Sequence, residues 1–136
     1  MSISENSKKS FFAYAAVMLF CMVFTPVYYR FSHGVRSEYL TWLWAVPAVL
    51  GVAPSVVRLF CPGIWDNCFV GCYLYNCGTA AIIVHTALKG IFEIAGTTSL
   101  YEKWIQVVGF IMLAAGAIVI LVNAIINLSA RKEKNI

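Results

Sequence analysis

Four long stretches of this chain carry almost no polar residues, and each is bounded by segments rich in Gly, Ser, Pro or charge. The first, Phe11 to Tyr29, reads FFAYAAVMLFCMVFTPVYY and has no charge. The second starts at Tyr39 and stays apolar to Val57, where Arg58 interrupts it. The third starts at Cys68 and reaches Phe92 with Lys89 in its last turn, and the fourth runs from Trp104 to Leu128. About 20 apolar residues cross the ~30 Å hydrocarbon core of a bilayer as a helix. Polar and apolar residues do not alternate, which excludes the strands of a membrane barrel. The pattern therefore predicts an all-α membrane protein, a bundle of four transmembrane helices at 11–29, 39–60, 68–92 and 104–128. The connections are short, so neighbouring helices run antiparallel, and residues 1–136 form a single membrane domain.

Composition points the same way. With 61% hydrophobic and 12% charged residues in 136, the chain falls well outside the roughly one-quarter charged content of soluble domains. So short a chain has no interior large enough to hide that surface from water. The net charge of +4 does not signal nucleic-acid binding, because the basic residues sit at helix ends. Six of them (Lys8, Lys9, Arg58, Arg131, Lys132 and Lys134) flank the termini and the middle loop, against four (Arg30, Arg36, Lys89 and Lys103) at the other end. Counting Lys and Arg in this way places both termini in the cytoplasm. The first apolar run lacks a small-residue cleavage site after it. Pro26, Tyr28, Tyr29 and Arg30 stand there instead, so a retained helix is expected.

The two outer loops resemble each other. Gly34, Ser37, Tyr39 and Trp42 are matched 62 residues later by Gly96, Ser99, Tyr101 and Trp104. The same offset lays Pro47 on Gly109 and Pro54 on Gly116, and the first helical hairpin on the second. Duplication of a hairpin is the expectation, giving two tandem hairpins related by a pseudo-twofold axis along the membrane normal. Each motif also has a plain structural use: glycine for a positive-φ turn, serine as an N-cap, and Ser99 with Glu102 as a capping box. Tyr and Trp then settle at headgroup level. The functional use would be an outer surface in which Arg30, His33 and Arg36 stand opposite Glu93 and Glu102.

Small and helix-breaking residues form stripes. Gly109, Gly116 and Asn123 recur every seven residues on the fourth helix, while Pro47, Gly51, Pro54 and Arg58 share a face of the second. Gly71, Gly78, Ala81, His85 and Lys89 share a face of the third. In lipid, helices associate through such small residues, so these stripes are expected inside the bundle. Polar residues at membrane depth are functional candidates by default, and here they are Asn76, Thr79, His85 and Asn123. An imidazole can carry protons near neutral pH, yet a histidine simply bonded across helices is the commoner use. No Asp or Glu falls within a helix core, which argues against proton-coupled transport.

Cys21 and Cys77 fall within helices, where a lone thiol behaves as a small hydrophobe. Cys61, Cys68 and Cys72 cluster around the middle loop, CPGIWDNCFVGC. A cytoplasmic loop disfavours a disulfide there. The three are weak metal candidates, because the paired spacing of a zinc or redox site is missing.

Two stretches, Arg30 to Gly51 (RFSHGVRSEYLTWLWAVPAVLG) and Tyr75 to Ser99 (YNCGTAAIIVHTALKGIFEIAGTTS), resemble a recurring signature of small four-helix integral membrane proteins of bacteria. That resemblance implies the fold and a bacterial cytoplasmic membrane, and it brings no assigned activity and no catalytic residue. Small multidrug exporters require an acidic residue in the first helix, and vitamin K epoxide reductase-type thiol oxidoreductases require a C-x-x-C pair; both are missing here. No motif joins the chain to the four-helix quinol-oxidase subunits. The expected role is a non-enzymatic accessory or interaction subunit of a membrane complex, without a cofactor, whose partners are the lipid bilayer and another membrane protein or a second copy. The alternatives are a small oligomeric transporter or channel, using His85, Asn76 and Asn123 as its polar path, and a membrane thiol, redox or metal-binding protein.

Overall fold

A computed structural model describes residues 3–60 and 68–133, all of them in helices and connecting turns. Three helices dominate: α1 (Ile3–Phe31), α5 (Phe69–Ala95) and α6 (Leu100–Glu133). Each is long and apolar enough to cross a membrane. Between α1 and α5 the chain is helical in pieces: α2 (Glu38–Thr41), α3 (Ala45–Pro47), a π-helical turn Ala48–Val52, and α4 (Ala53–Phe60). The unbroken helix expected over 39–60 is therefore interrupted, and proline explains where. A proline lacks the N–H that would bond the carbonyl four residues back, and its ring crowds that carbonyl. For Pro47 that carbonyl belongs to Leu43, which lies in the turn separating α2 from α3. For Pro54 it belongs to Leu50, inside the π turn.

The broken arm still runs the length of α1. Tyr29 Oη lies 2.7 Å from the Ser37 carbonyl and 2.7 Å from Thr41 Oγ1. One turn along, Thr25 Oγ1 lies 2.9 Å from the Leu40 carbonyl. Farther down, the Tyr14 ring packs on Gly51, and Ser10 shares a cleft with Arg58. From Tyr29 to Ser10 is 19 residues of α1, or about 28 Å of helix rise. The α2–α4 arm thus descends antiparallel to α1 along this length.

This arm sits between α1 and α5, and α6 packs along α5. Cys21 of α1, with Leu40 and Leu43 of the arm, forms the buried core, flanked by Phe24, Tyr28, Ile83, Ala87 and Ile91. Gly90 lets the backbone at Leu40 approach α5: a Cβ there would stand 3.0 Å from the Leu40 nitrogen. Between α5 and α6 the stripes interlock. A Cβ on Gly78 would stand 2.5 Å from the Leu113 nitrogen, and one on Gly116 would overlap the Tyr75 nitrogen. Glycine here buys backbone-to-backbone contact, the usual basis of helix association in lipid. Gly109 and Gly116 therefore do a different job from Pro47 and Pro54, their counterparts 62 residues earlier.

The turns after α1 and after α5 each hold a glycine at positive φ, though their hydrogen bonds differ. Gly34 has φ +92° and Gly96 φ +66°, both with open space around the missing Cβ. His33 adds a non-glycine residue at φ +51° beside Gly34.

Candidate functional site

Two polar clusters occupy opposite ends of the helical layer. The first joins the α2 start to α5 and α6. Ser37, buried at the N-terminus of α2, donates to the Glu93 carboxylate. Lys89 Nζ lies 3.9 Å from Glu102 Oε1 and 4.3 Å above the centre of the Tyr39 ring. His85 is 4% exposed, and its Nδ1 lies 3.0 Å from the Glu102 carbonyl. A carbonyl only accepts, so Nδ1 carries the proton. The expected outer surface is thus rearranged: Glu93 and Glu102 are engaged by Ser37 and Lys89, while Arg30, His33 and Arg36 are exposed. With Glu102 turned to Lys89, the Ser99–Glu102 capping box gives way to an ion pair. Trp42, Tyr101 and Trp104 are 62–79% exposed. This cluster fastens loops to helices.

The second cluster lies at the end marked by Lys8, Lys9 and Arg58, and it is a cleft. Its walls are Ser10 and Tyr14 on α1, then Gly51, Pro54, Ser55 and Arg58 on the broken arm, then Cys72, Tyr75 and Asn76 on α5. The spacings are those of single helix faces: i and i+4 on α1; i, i+3, i+4 and i+7 on the arm; i, i+3 and i+4 on α5. Local chemistry follows from Pro54. Having lost its usual donor, the Leu50 carbonyl accepts the Tyr75 hydroxyl at 3.0 Å. The Ser55 hydroxyl donates to the Gly51 carbonyl at 2.8 Å, a back-bond that bends helices. Tyr14 fits against Gly51 only because no side chain stands there, and its hydroxyl donates to Asn76 Oδ1 at 2.8 Å.

The cleft is half open and offers about 30 Å³, room for about two waters. Arg58 Nε is buried against its walls without a hydrogen-bond partner. Among the described residues no carboxylate lines the cleft. π-helical turns recur at functional sites, and the one at Ala48–Val52 opens onto this cleft through Gly51.

The intramembrane polar residues do not converge. Asn76 reaches towards α1 and His85 towards α6. They are nine residues apart, which is half a turn out of phase at 100° per residue, so they lie on opposite faces of α5. Thr79 is fully buried and returns its hydroxyl to the Tyr75 carbonyl at 3.0 Å. Asn123 is half-buried on α6. Of the cysteine cluster, Cys61 lies outside the described residues. Cys68 is buried beside Gly71, and Cys72 is half-buried in the cleft with its N–H bonded to the Cys68 carbonyl. Tyr14, Ser10, Ser55 and Tyr75 were not singled out by sequence, although their helical spacing was visible. So was one further signal: Tyr14 and Asn76 are 62 residues apart, the offset of the loop repeat.

Comparison with known protein families, characterised proteins and solved structures finds no match to this chain.

Proposed function

We propose that this protein is a four-span integral membrane protein with both termini in the cytoplasm. Its role is that of a non-enzymatic accessory or interaction subunit, working through its outer helix faces. One observation carries this reading. Only 6% of the apolar window of α1 is buried inside the chain, against 28% for α5, yet α1 is held in fixed register by Tyr14, Thr25 and Tyr29. A helix needed only to anchor the chain in lipid requires no such positioning. The outward face of α1 carries Ala13 and Ala16 beside Phe12, Phe20 and Val23, all exposed. Small residues flanked by large ones suit close approach of another helix.

The fourth crossing rests on the α2–α4 arm, which accompanies α1 from Tyr29 down to Ser10. The tandem-hairpin reading is supported by the paired positive-φ glycines and by the Tyr14–Asn76 bond. Equivalent residues of two halves meet at a twofold axis, and these two positions are equivalent at the repeat offset. The packing of the arm on α5 has no comparable counterpart between α1 and α6 among the described residues, so the likeness is one of hairpins.

Photo-crosslinkers placed at Ala16 and Val23 in the membrane of an expressing cell test the role. Adducts with a second copy or another membrane protein are expected at both positions and not at Tyr14. A strictly solitary, monomeric particle in nanodiscs, with no adduct in cells, would sink it.

A further inference from the structure

We infer that the cleft around Arg58 is a binding site for a phosphate group. This stands whether or not α1 has a helical partner. The argument begins with protons. The hydroxyls of Tyr14, Tyr75 and Ser55 donate to acceptors within the chain. Asn76 receives one of those bonds on Oδ1, which leaves its NH2 group as a donor at the cleft. The donors not used within the chain are Arg58 Nε–H, the Asn76 amide and the Ser10 hydroxyl, and among the described residues no carboxylate lines the cleft.

A buried N–H of a guanidinium left without an acceptor is unfavourable, and among the described lining residues there is no carboxylate to meet the charge. Water satisfies the hydrogen bond but not the charge. An oxyanion does both, and a guanidinium presents its donors in the fork that phosphate oxygens accept. The space of about 30 Å³ admits the oxygens of one such group. Depth agrees. Ser10 and Arg58 stand at the end of the apolar run of α1, one residue beyond the exposed Lys9, where anionic headgroups concentrate and basic residues collect. The phosphate belongs either to an anionic phospholipid or to a small soluble phosphate ester.

The test uses the full chain purified in a maltoside detergent, which is phosphate-free, and reads thermal stabilisation on addition of three probes. These are phosphatidylglycerol, a neutral galactolipid of matched acyl chains, and glycerol 3-phosphate. Phosphatidylglycerol is expected to stabilise the wild type where the galactolipid does not, and R58Q is expected to need about tenfold more of it, the weight of a hydrogen bond to a charged group. R58K, which keeps the charge without the fork, should fall between. If glycerol 3-phosphate reproduces the effect, the ligand is soluble; if only the lipid does, it is a headgroup. N76L removes a donor while leaving the cation, so it keeps the test decisive should R58Q fail to fold; about threefold weaker response is expected. Equal stabilisation by galactolipid and phosphatidylglycerol overturns the inference. So does an unchanged response in a folded R58Q or, where R58Q does not fold, in N76L.

Discussion

Replacing Gly78 with alanine tests how tightly the second hairpin is built. The new Cβ would stand 2.5 Å from the Leu113 nitrogen and 2.8 Å from the Gly109 oxygen. Both are backbone atoms of α6 and cannot swing away. Ordinary contact begins near 3.4 Å, so the helices must part by about 0.9 Å. A gap of 0.5–1 Å forfeits roughly a quarter to a half of each atom-pair attraction of about 0.1–0.2 kcal/mol. Over some tens of pairs along the seam, this comes to about 1–3 kcal/mol, in line with the usual penalty for overpacking. Gly116→Ala meets the same obstacle from the other side, against the Tyr75 backbone. If the helices separate as rigid bodies, one separation accommodates both methyls. The double variant should then cost about as much as either single, a coupling of about 2 kcal/mol in a double-mutant cycle. Reversible unfolding in mixed micelles, followed by tryptophan fluorescence, measures this, with Ala114→Gly on the exposed face of α6 as a control. Full additivity, or an unperturbed Gly78→Ala, would refute the picture of a rigid backbone seam.

Other consequences follow from single contacts. Tyr75→Phe leaves the Leu50 carbonyl without the hydroxyl that replaces the donor lost at Pro54; a loss of about 1–3 kcal/mol in the same unfolding assay is expected. His85→Ala removes a buried ring and its bond to Glu102, so stability should fall by about 2 kcal/mol, while proteoliposome ion flux, if the protein supports any, should not change. Gly34→Ala should destabilise by about 1 kcal/mol through backbone conformation alone, because φ is +92° and no atom lies within 4 Å of the new methyl; a thermal melt unchanged from wild type would contradict this. Reporter tags at residues 1 and 136 are expected on the same face of the membrane. Opposite placement would reduce the crossings to the three long helices and make the broken arm a re-entrant segment.

The apolar runs alone determined that this chain is helical and made for lipid, because in a bilayer the backbone must bond to itself and length fixes what can cross. The helices outrun those apolar runs: α1 extends back to Ile3 and α6 on to Glu133. Gly34 and Gly96 were readable as positive-φ turns because that need is local. The break in the second helix was half legible. Pro47 and Pro54 announced lost bonds, but that Tyr75, a residue of another helix, stands where it can satisfy the Leu50 carbonyl freed by Pro54 was not in the pattern. Pairing was not legible at all. Glu93 and Glu102 were set against Arg30, His33 and Arg36 by loop proximity, whereas packing of Leu40 on Gly90 brings Ser37 to Glu93 and leaves Glu102 to Lys89. The cleft has the same origin. Each of its three stripes is a helical period in the sequence, but that they face one another around Arg58 is decided by how α1, the broken arm and α5 pack. A periodic pattern records which face a residue lies on and carries no information about what stands opposite.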